Sequence, residues 1–164
     1  MTTMTAGPAL SNDFDFMVGR WRVHNRFLGG RLCGSHLWFE FEATYELGLL
    51  LGGLGNIDQF HSERDGKKIE GMTLRLFDPA TGDWTLYWAD NLRPGKTYPP
   101  MIGRFHGDIG EFFGEEEVDG RKVRCRFHWY RDHDRPRWEQ AFSEDGKNWE
   151  TNWIMTFTRI GAEG

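Results

Sequence analysis

The sequence has 164 residues, with 20 Lys and Arg against 25 Asp and Glu, so its formal net charge is −5. This length suits one domain with its own core, and the acidic balance argues against non-specific binding to nucleic acid. The longest apolar run, Leu47–Leu54, is too short to span a bilayer, and Met1–Leu10 lacks the basic start and apolar stretch of a secretory signal. The two cysteines, Cys33 and Cys125, show no metal-binding or redox spacing. We therefore expect a cytoplasmic protein without nucleic-acid or membrane partners.

Aromatic and glycine residues divide the chain into short strands. The 13 Phe, 8 Trp and 4 Tyr lie mostly in alternating stretches, and most of the 21 Gly lie between these stretches. Aromatic residues favour strands, whereas Gly and Pro favour turns. Residues 1–11 are expected to be a disordered lead, and Asn12 and Asp13 to begin a short helical turn. Residues 12–160 are expected to form a single domain with ten strands, at about 20–27, 36–47, 56–63, 69–77, 84–90, 102–106, 111–118, 121–130, 137–143 and 149–159.

Turn signals in the second half of the chain predict how neighbouring strands pair. The dipeptide Asp119–Gly120 is typical of a two-residue type I′ hairpin, which places Val118 opposite Arg121. One face of this hairpin is then largely apolar. The other face carries opposite charges side by side, such as Glu115 and Arg124.

A second turn, at Asp145 and Gly146, predicts a row of indoles on the same apolar face. The predicted pairs are Phe142 with Trp149, Gln140 with Thr151, and Trp138 with Trp153, with Trp129 beyond Trp138. Ten consecutive strands with one apolar face close most simply into an antiparallel up-and-down β-barrel, because closure removes the sheet edges. A barrel of this size has room for side chains and one small ligand.

A Gly-x-Trp motif opens the first strand, and a basic residue closes the last one. The motif is Gly19–Trp21, the basic residue is Arg159, and together they resemble the signature of the calycins (lipocalins, fatty-acid-binding proteins and nitrobindins). This resemblance implies that Trp21 lies at the closed end of a barrel beneath Arg159. From about residue 13 to 160, the chain resembles bacterial lipocalin-like domains of unknown function, through residues 14–21, 74–82, 137–143 and 149–153. Calycins include carriers, haem proteins and a few enzymes, so the resemblance implies a fold and no particular activity.

Strand alternation predicts which side chains face the interior. The inward sets are Val23, Asn25 and Phe27 after Trp21; Leu37, Phe39, Phe41, Ala43 and Tyr45; Trp84, Leu86, Trp88 and Asp90; and Trp149, Thr151, Trp153, Met155 and Phe157 before Arg159. In the fourth strand the apolar set Met72, Leu74 and Leu76 is predicted to face inward, with a bulge at Gly82. Strand 56–63 leaves two alternatives open, namely Asn56, Asp58 and Phe60 inside, or Ile57, Gln59 and His61 inside.

The predicted lumen is aromatic with a few polar points, which is how small-molecule sites are commonly built. The candidate ligand-binding residues are Asn25, Tyr45, Trp88, Trp129, Trp138, Gln140, Thr151 and Trp153. We therefore expect the barrel to bind a small, largely apolar molecule, aromatic or polycyclic. The Pro- and Gly-containing loop 92–101 is either a lid over this site or a rigid connector.

Two other hypotheses about function stay open. In one, the barrel is a cofactor-free enzyme, an isomerase, cyclase or hydrolase, and Asp58, His61 or Asp90 moves a proton. Desolvation would raise the pKa of such a carboxyl group toward a useful range. In the other hypothesis the barrel is filled, and the protein acts through a homodimer or a partner face.

His128 falls between Glu111 and Glu139 in the predicted register, a pattern that suggests acid–base chemistry. The same face carries the ladder of opposite charges, so we expect it to be a solvated outer surface. If the ladder faced inward instead, the site would comprise Arg75, Arg126, His128, Glu139 and Asn152.

Metal or cofactor binding has little support in the sequence. The six histidines show no metal-ligand spacing, so no metal site is predicted. Haem is suggested only by the resemblance to nitrobindins, and the glycine-rich run that follows their Trp is replaced here by Arg22–Arg26. We therefore expect no cofactor.

Overall fold

The computed structural model describes residues 11–161, which form a closed barrel of ten antiparallel strands. The strands are β1 (Gly19–Leu28), β2 (Trp38–Leu50), β3 (Gly55–Arg64), β4 (Lys67–Asp78), β5 (Asp83–Asp90), β6 (Met101–His106), β7 (Ile109–Val118), β8 (Arg121–Tyr130), β9 (Arg137–Ser143) and β10 (Glu150–Arg159). Consecutive strands pair with each other and β1 pairs with β10, so the predicted up-and-down barrel is confirmed. Except for Ser11, the predicted disordered lead lies outside the described residues.

Short 3₁₀ turns stand where the chain enters the barrel and between β2 and β3. The first covers Asp15–Met17, as the sequence predicts, and the second covers Leu51–Gly53. Over residues 11–161, no helix is long and apolar enough to cross a bilayer.

Left-handed backbone at two hairpin turns sets the register of the strands they join. Asp65 and Gly66 have φ of 51° and 75° between β3 and β4, and Asp119 and Gly120 have φ of 50° and 77° between β7 and β8. Positive φ at both central residues is typical of a type I′ turn, whose twist matches that of the flanking strands. The observed β7–β8 register is the predicted one.

The inner faces of β1 and β2 follow the predicted alternation. Trp21 and Val23 of β1 and Tyr45 of β2 are all less than 5% exposed. Near the start of β2 the prediction is wrong, because Leu37 and Phe39 are 60% and 39% exposed and do not belong to the core.

The inner face of β4 differs from the prediction. Thr73 and Arg75 are buried, whereas Met72 and Leu76 are 40% and 37% exposed on the outer surface. β4 and β5 pair in continuous register up to the last pair, without the bulge predicted at Gly82. The apolar set therefore faces outward, because polar side chains inside the barrel bind one another and compensate for their burial.

The two alternatives for β3 are resolved by burial. Asn56, Asp58 and Phe60 are at most 2% exposed, so this set faces the interior. The side chain of His61 lies on the outer surface, 49% exposed, with its Nδ1 atom 3.6 Å from a carboxylate oxygen of Glu70.

The pairing of β9 with β10 differs from the prediction because β10 contains a β-bulge. Thr151 lies opposite Ala141, and Trp153 lies opposite Gln140, because β10 contains an extra residue, Asn152, between them. Asn152 is fully buried and accepts a hydrogen bond from Gln140 at 2.8 Å.

Trp149 also differs from the prediction, since its ring contacts Phe113 on the outer face of β7. The Trp129–Trp138 pair is as predicted, and the rings of Trp138 and Trp153 still make contact, 5.3 Å apart.

One end of the barrel is closed by the segment before β1. Phe14 and Met17 are buried there, and the indole of Trp21 donates a hydrogen bond to the carbonyl of Met17. The guanidinium of Arg159 lies 4.0 Å from the centre of the Trp21 ring and donates to the carbonyls of Phe16 and Val18. The opposite end, called here the mouth, carries the β1–β2, β3–β4, β5–β6, β7–β8 and β9–β10 connections.

We expect Arg159→Met to lower the free energy of unfolding by about 2 kcal/mol, because it removes a cation–π contact and two charge-assisted hydrogen bonds. Urea unfolding followed by tryptophan fluorescence measures this loss. Arg22→Met is the matched control, since Arg22 is exposed on the outer face of β1. Equal unfolding midpoints for the two variants would show that Arg159 does not hold the closed end.

Candidate ligand-binding site

The barrel contains a cavity of about 430 Å³, and all ten strands contribute to its lining. Most of the wall is apolar, with side chains such as Phe41, Phe60, Ile69, Leu86, Phe127 and Met155. The cavity extends from Arg75 and Trp129, near the closed end, to Arg31, Arg64 and Tyr98 at the mouth. The cavity is thus an internal chamber that approaches the surface on one side.

Four aromatic side chains run around the middle of the cavity in edge-to-face contact. Trp138 packs on Trp153, Trp153 on Phe60, and Phe60 on Trp88, with ring centres 5.3–6.2 Å apart. Trp153 is fixed by a hydrogen bond of 3.0 Å from its indole nitrogen to Oδ1 of Asn25, which is fully buried. Aromatic edges and faces in this arrangement favour contact with another aromatic ring.

A glycine in β4 makes room for one of these indoles. A Cβ atom placed on Gly71 would lie 2.0 Å from the Trp88 ring, so only glycine fits at this position. The Trp88 indole nitrogen also donates to Asp90 at 3.0 Å. Trp88 is therefore held close to the backbone of β4, on the wall of the cavity.

The inner end of the cavity, called here the floor, is a buried polar cluster. Asp58 accepts hydrogen bonds from the Tyr45 hydroxyl at 2.5 Å, from Nη2 of Arg75 at 2.6 Å and from the Thr73 backbone N–H at 2.7 Å. Nη1 of Arg75 donates to Oδ1 of Asn56 at 2.9 Å. The cluster contains one negative and one positive charge, so its net charge is zero.

Burial and pairing shift the pKa values in the floor in ways that preserve these charges. Desolvation raises the pKa of Tyr45 well above its usual value, so the hydroxyl stays protonated and donates to Asp58. For Arg75, desolvation lowers the pKa, but Tyr45 and Asp58 raise it by more, so it lies above its usual value. Arg75 therefore stays a cation.

The mouth carries charges of both signs. Arg31 lies 4.4 Å above the Phe27 ring, and Arg64 lies 4.8 Å above the Phe39 ring. Desolvation lowers the pKa of Arg31, against the attraction of Glu116 and other acidic groups. Glu115, Glu116 and Glu117 of β7 also line this end. The charged groups thus surround an apolar opening.

The β5–β6 loop is held at the mouth by Asp90. The Asp90 carboxylate accepts from the backbone N–H groups of Leu92 and Arg93, at 3.0 and 3.2 Å, and from the Tyr98 hydroxyl at 3.4 Å. Burial and the nearby Asp90 charge raise the pKa of Tyr98 to about 12. Leu92, Tyr98 and Pro99 reach the cavity from this loop.

The structure brings six of the eight predicted ligand-binding residues together on the cavity wall. These are Tyr45, Trp88, Trp129, Trp138, Gln140 and Trp153. Asn25 lies behind the wall, bonded to Trp153. Thr151 is not on the wall, because it pairs with Ala141 before the β10 bulge.

The three candidate proton-transfer residues have different surroundings. Asp58 and Asp90 line the cavity, but each carboxylate already accepts several hydrogen bonds. His61 is on the outer surface and cannot reach the cavity. His128 lies beside Glu111, at 2.9 Å between Nε2 and Oε2, as the predicted register implies, and does not line the cavity.

The residues that sequence reasoning missed are mainly on the inner face of β4. Arg75 and Thr73 complete the floor, and Gly71 accommodates Trp88. The signal that could have found them is the Asp65–Gly66 turn, which fixes the β3–β4 register. Once Asn56 faces inward, that register places Arg75 beside it.

The comparisons with known proteins concern only the fold. A scan against models of protein families finds no match, and a search of curated proteins finds none. Among solved structures, the barrel is similar to Rv2717c from M. tuberculosis, with a TM-score of 0.61 over 93% of this chain and 99% of that chain. The two sequences are 15% identical, so this likeness shows a shared architecture and carries no activity across.

We expect Asp58→Asn to lower the free energy of unfolding by about 3 kcal/mol, because Arg75 would be left as an uncompensated buried cation. Asp83→Asn is the control. It removes the same charge from a pair with Arg104, in which the two side chains are 32% and 45% exposed. A loss below about 1 kcal/mol is expected there. Equal losses in urea unfolding would contradict a stabilising role for the floor.

Proposed function

We propose that this protein binds a small, largely apolar molecule, aromatic or polycyclic, inside its barrel. The observation that carries the proposal is the cavity of about 430 Å³ inside the barrel, which opens at the mouth and has a predominantly apolar lining. Ligand pockets of roughly 300–1,000 Å³ with a few polar groups are typical of small-molecule sites. A filled structural barrel would have no such space.

The chemistry of the wall supports an aromatic ligand. Trp138, Trp153, Phe60 and Trp88 surround the middle of the cavity, and their edge-to-face contacts can be continued by a flat ligand ring. The resemblance to calycins, which include carriers of apolar molecules, agrees with this proposal but does not identify the ligand.

We propose binding in preference to turnover. An enzyme of the kind considered above needs a group in the cavity that can accept a proton. The carboxylates of Asp58 and Asp90 instead hold their neighbours in place through hydrogen bonds, and His61 is outside. Proton abstraction by either carboxylate would compete with the contacts that maintain the floor or the β5–β6 loop.

A neutral apolar probe, N-phenyl-1-naphthylamine, tests the proposal. We expect its emission to rise on binding and the tryptophan emission to be quenched, because the probe would lie among the cavity indoles. Ile69→Trp should weaken this binding at least tenfold, since Ile69 lines the cavity and a larger side chain would occupy its space.

Met72→Trp is the matched control for this experiment. Met72 lies on the same strand but on the outer surface, 40% exposed, so the same new side chain should leave the dissociation constant unchanged. If the probe does not bind, or if both variants weaken binding equally, the cavity is not the binding site.

A further inference from the structure

Two arginine side chains at the mouth have no close acidic partner inside the barrel. Arg31 lies in the connection between β1 and β2, Arg64 lies at the end of β3, and both line the cavity. Within residues 11–161, no carboxylate oxygen lies within 4.0 Å of the Arg31 guanidinium, and Arg64 has only Asp65, a highly exposed side chain, at 4.0 Å. A charge that burial separates from water is commonly paired. These two cations therefore require an explanation.

Aromatic rings hold the two guanidinium groups in place. The guanidinium carbon of Arg31 lies 4.4 Å from the centre of the Phe27 ring and 5.1 Å from that of Phe142. The guanidinium carbon of Arg64 lies 4.8 Å from the centre of the Phe39 ring and 5.9 Å from that of Phe27. A cation–π contact stabilises a cation without giving its N–H groups a lone pair to bond. The N–H groups of both side chains thus stay available to donate.

A ligand or water can reach these N–H groups. Arg31 and Arg64 are only partly buried, and neither has a fully buried nitrogen that lacks a partner. Burial still affects Arg31, because desolvation lowers its pKa against the attraction of Glu116 and Glu150. Arg31 is therefore a partly desolvated cation that a nearby anion would stabilise.

The two positive charges lie close together on one side of the mouth. Arg31 precedes β2, and Arg64 ends the neighbouring strand β3, with both guanidinium carbons within 5.9 Å of the centre of the Phe27 ring. The acidic residues 115–117 belong to β7, which faces β2 across the barrel, since five strand-to-strand steps separate them in either direction. One anion on the β2 side of the opening could therefore compensate both arginines.

The chemistry of a guanidinium group selects an oxyanion. Its planar set of N–H groups matches the oxygens of a carboxylate, and such charge-assisted hydrogen bonds are stronger than neutral ones. An anionic group at the mouth would stay near water while the apolar part of the same molecule lies against the aromatic middle of the cavity. An anion at the floor would find no free cation, because Asp58 already compensates Arg75 there.

We propose that Arg31 and Arg64 form a subsite for the carboxylate or sulfonate group of an otherwise apolar, aromatic ligand. The anionic group lies between the two arginines at the mouth, and the rings lie inside the barrel. The inference rests on the proposed function, because it names the class of molecule that the cavity would hold, an aromatic organic acid. It also assigns an orientation, in which the ligand enters with its apolar end first.

The probes 8-anilino-1-naphthalenesulfonate and N-phenyl-1-naphthylamine test the inference, because they share one skeleton and differ by a single sulfonate group. Calorimetric titrations give the two dissociation constants. We expect the sulfonate to bind about tenfold more tightly than the neutral probe, the effect of a charge-assisted hydrogen bond. Ile69→Trp should weaken the binding of both probes, since Ile69 lines the cavity that both would occupy.

Two variants at the mouth and one control separate the subsite from a general attraction of anions. Arg31→Met and Arg64→Met each remove a guanidinium group and keep a long side chain. The tenfold preference should fall to about threefold in each, with little change for the neutral probe. Arg126→Met is the matched control, because Arg126 lies 4.6 Å above the Trp149 ring and does not line the cavity. The tenfold preference should persist in this control.

A variant on the acidic side of the mouth tests where the sulfonate lies. Glu116 is the acidic residue that attracts Arg31 most strongly. Glu116→Gln should tighten the binding of the sulfonate about threefold, because it removes a like charge near the proposed subsite, and should leave the neutral probe unaffected. Unchanged or weaker binding of the sulfonate would place it away from Arg31 and overturn the inference.

The outcomes distinguish this inference from the proposed function. If the two probes bind equally well, or if the preference persists in Arg31→Met and Arg64→Met, the cavity binds apolar molecules but the mouth is not an anion subsite. If Ile69→Trp weakens only the neutral probe, the sulfonate binds outside the cavity and the inference fails. If neither probe binds, both the inference and the proposed function fail.

Discussion

The buried pair of Asp58 and Arg75 is the interaction on which the interior of this barrel depends. An isolated ion in such a place would cost several kcal/mol, so β3 and β4 must keep the register that holds the two charges together. Tyr45 extends the same cluster to β2. The hydrogen bonds of Tyr45, Asp58 and Arg75 thus join β2, β3 and β4. These bonds have more influence than apolar packing on which face of β4 lies inside.

This explains where sequence reasoning succeeded and where it failed. The strand number, barrel closure and the β7–β8 register follow from alternation and from the Asp119–Gly120 turn, both of which are local signals. The inner face of β4 was predicted from its apolar residues, so Met72, Leu74 and Leu76 were placed inside. The Asp65–Gly66 turn would have given the β3–β4 register, just as Asp119–Gly120 gave the β7–β8 register. The β10 bulge at Asn152 has no comparable signal, because it depends on a buried contact with a neighbouring strand.

Two of the indoles that line the cavity are held in place by hydrogen bonds to neighbouring side chains. Trp153 is bonded to Asn25, and Trp88 is bonded to Asp90 and lies over Gly71. The sequence predicts an aromatic lumen, but it does not show which indoles are fixed in this way. Asn25 was accordingly predicted to contact a ligand, whereas the structure gives it a different role, that of positioning an aromatic ring that lines the cavity.

The arrangement of polarity also determines how a ligand could lie in the chamber. The floor is a cluster of polar groups that bond one another and carry no net charge, the middle is aromatic, and the mouth carries Arg31, Arg64 and acidic residues that stay near water. An oxygen placed in the middle would lose its hydration without compensation. A polar group of a ligand would therefore keep its hydration only near the mouth, with the apolar part of the ligand against the aromatic middle.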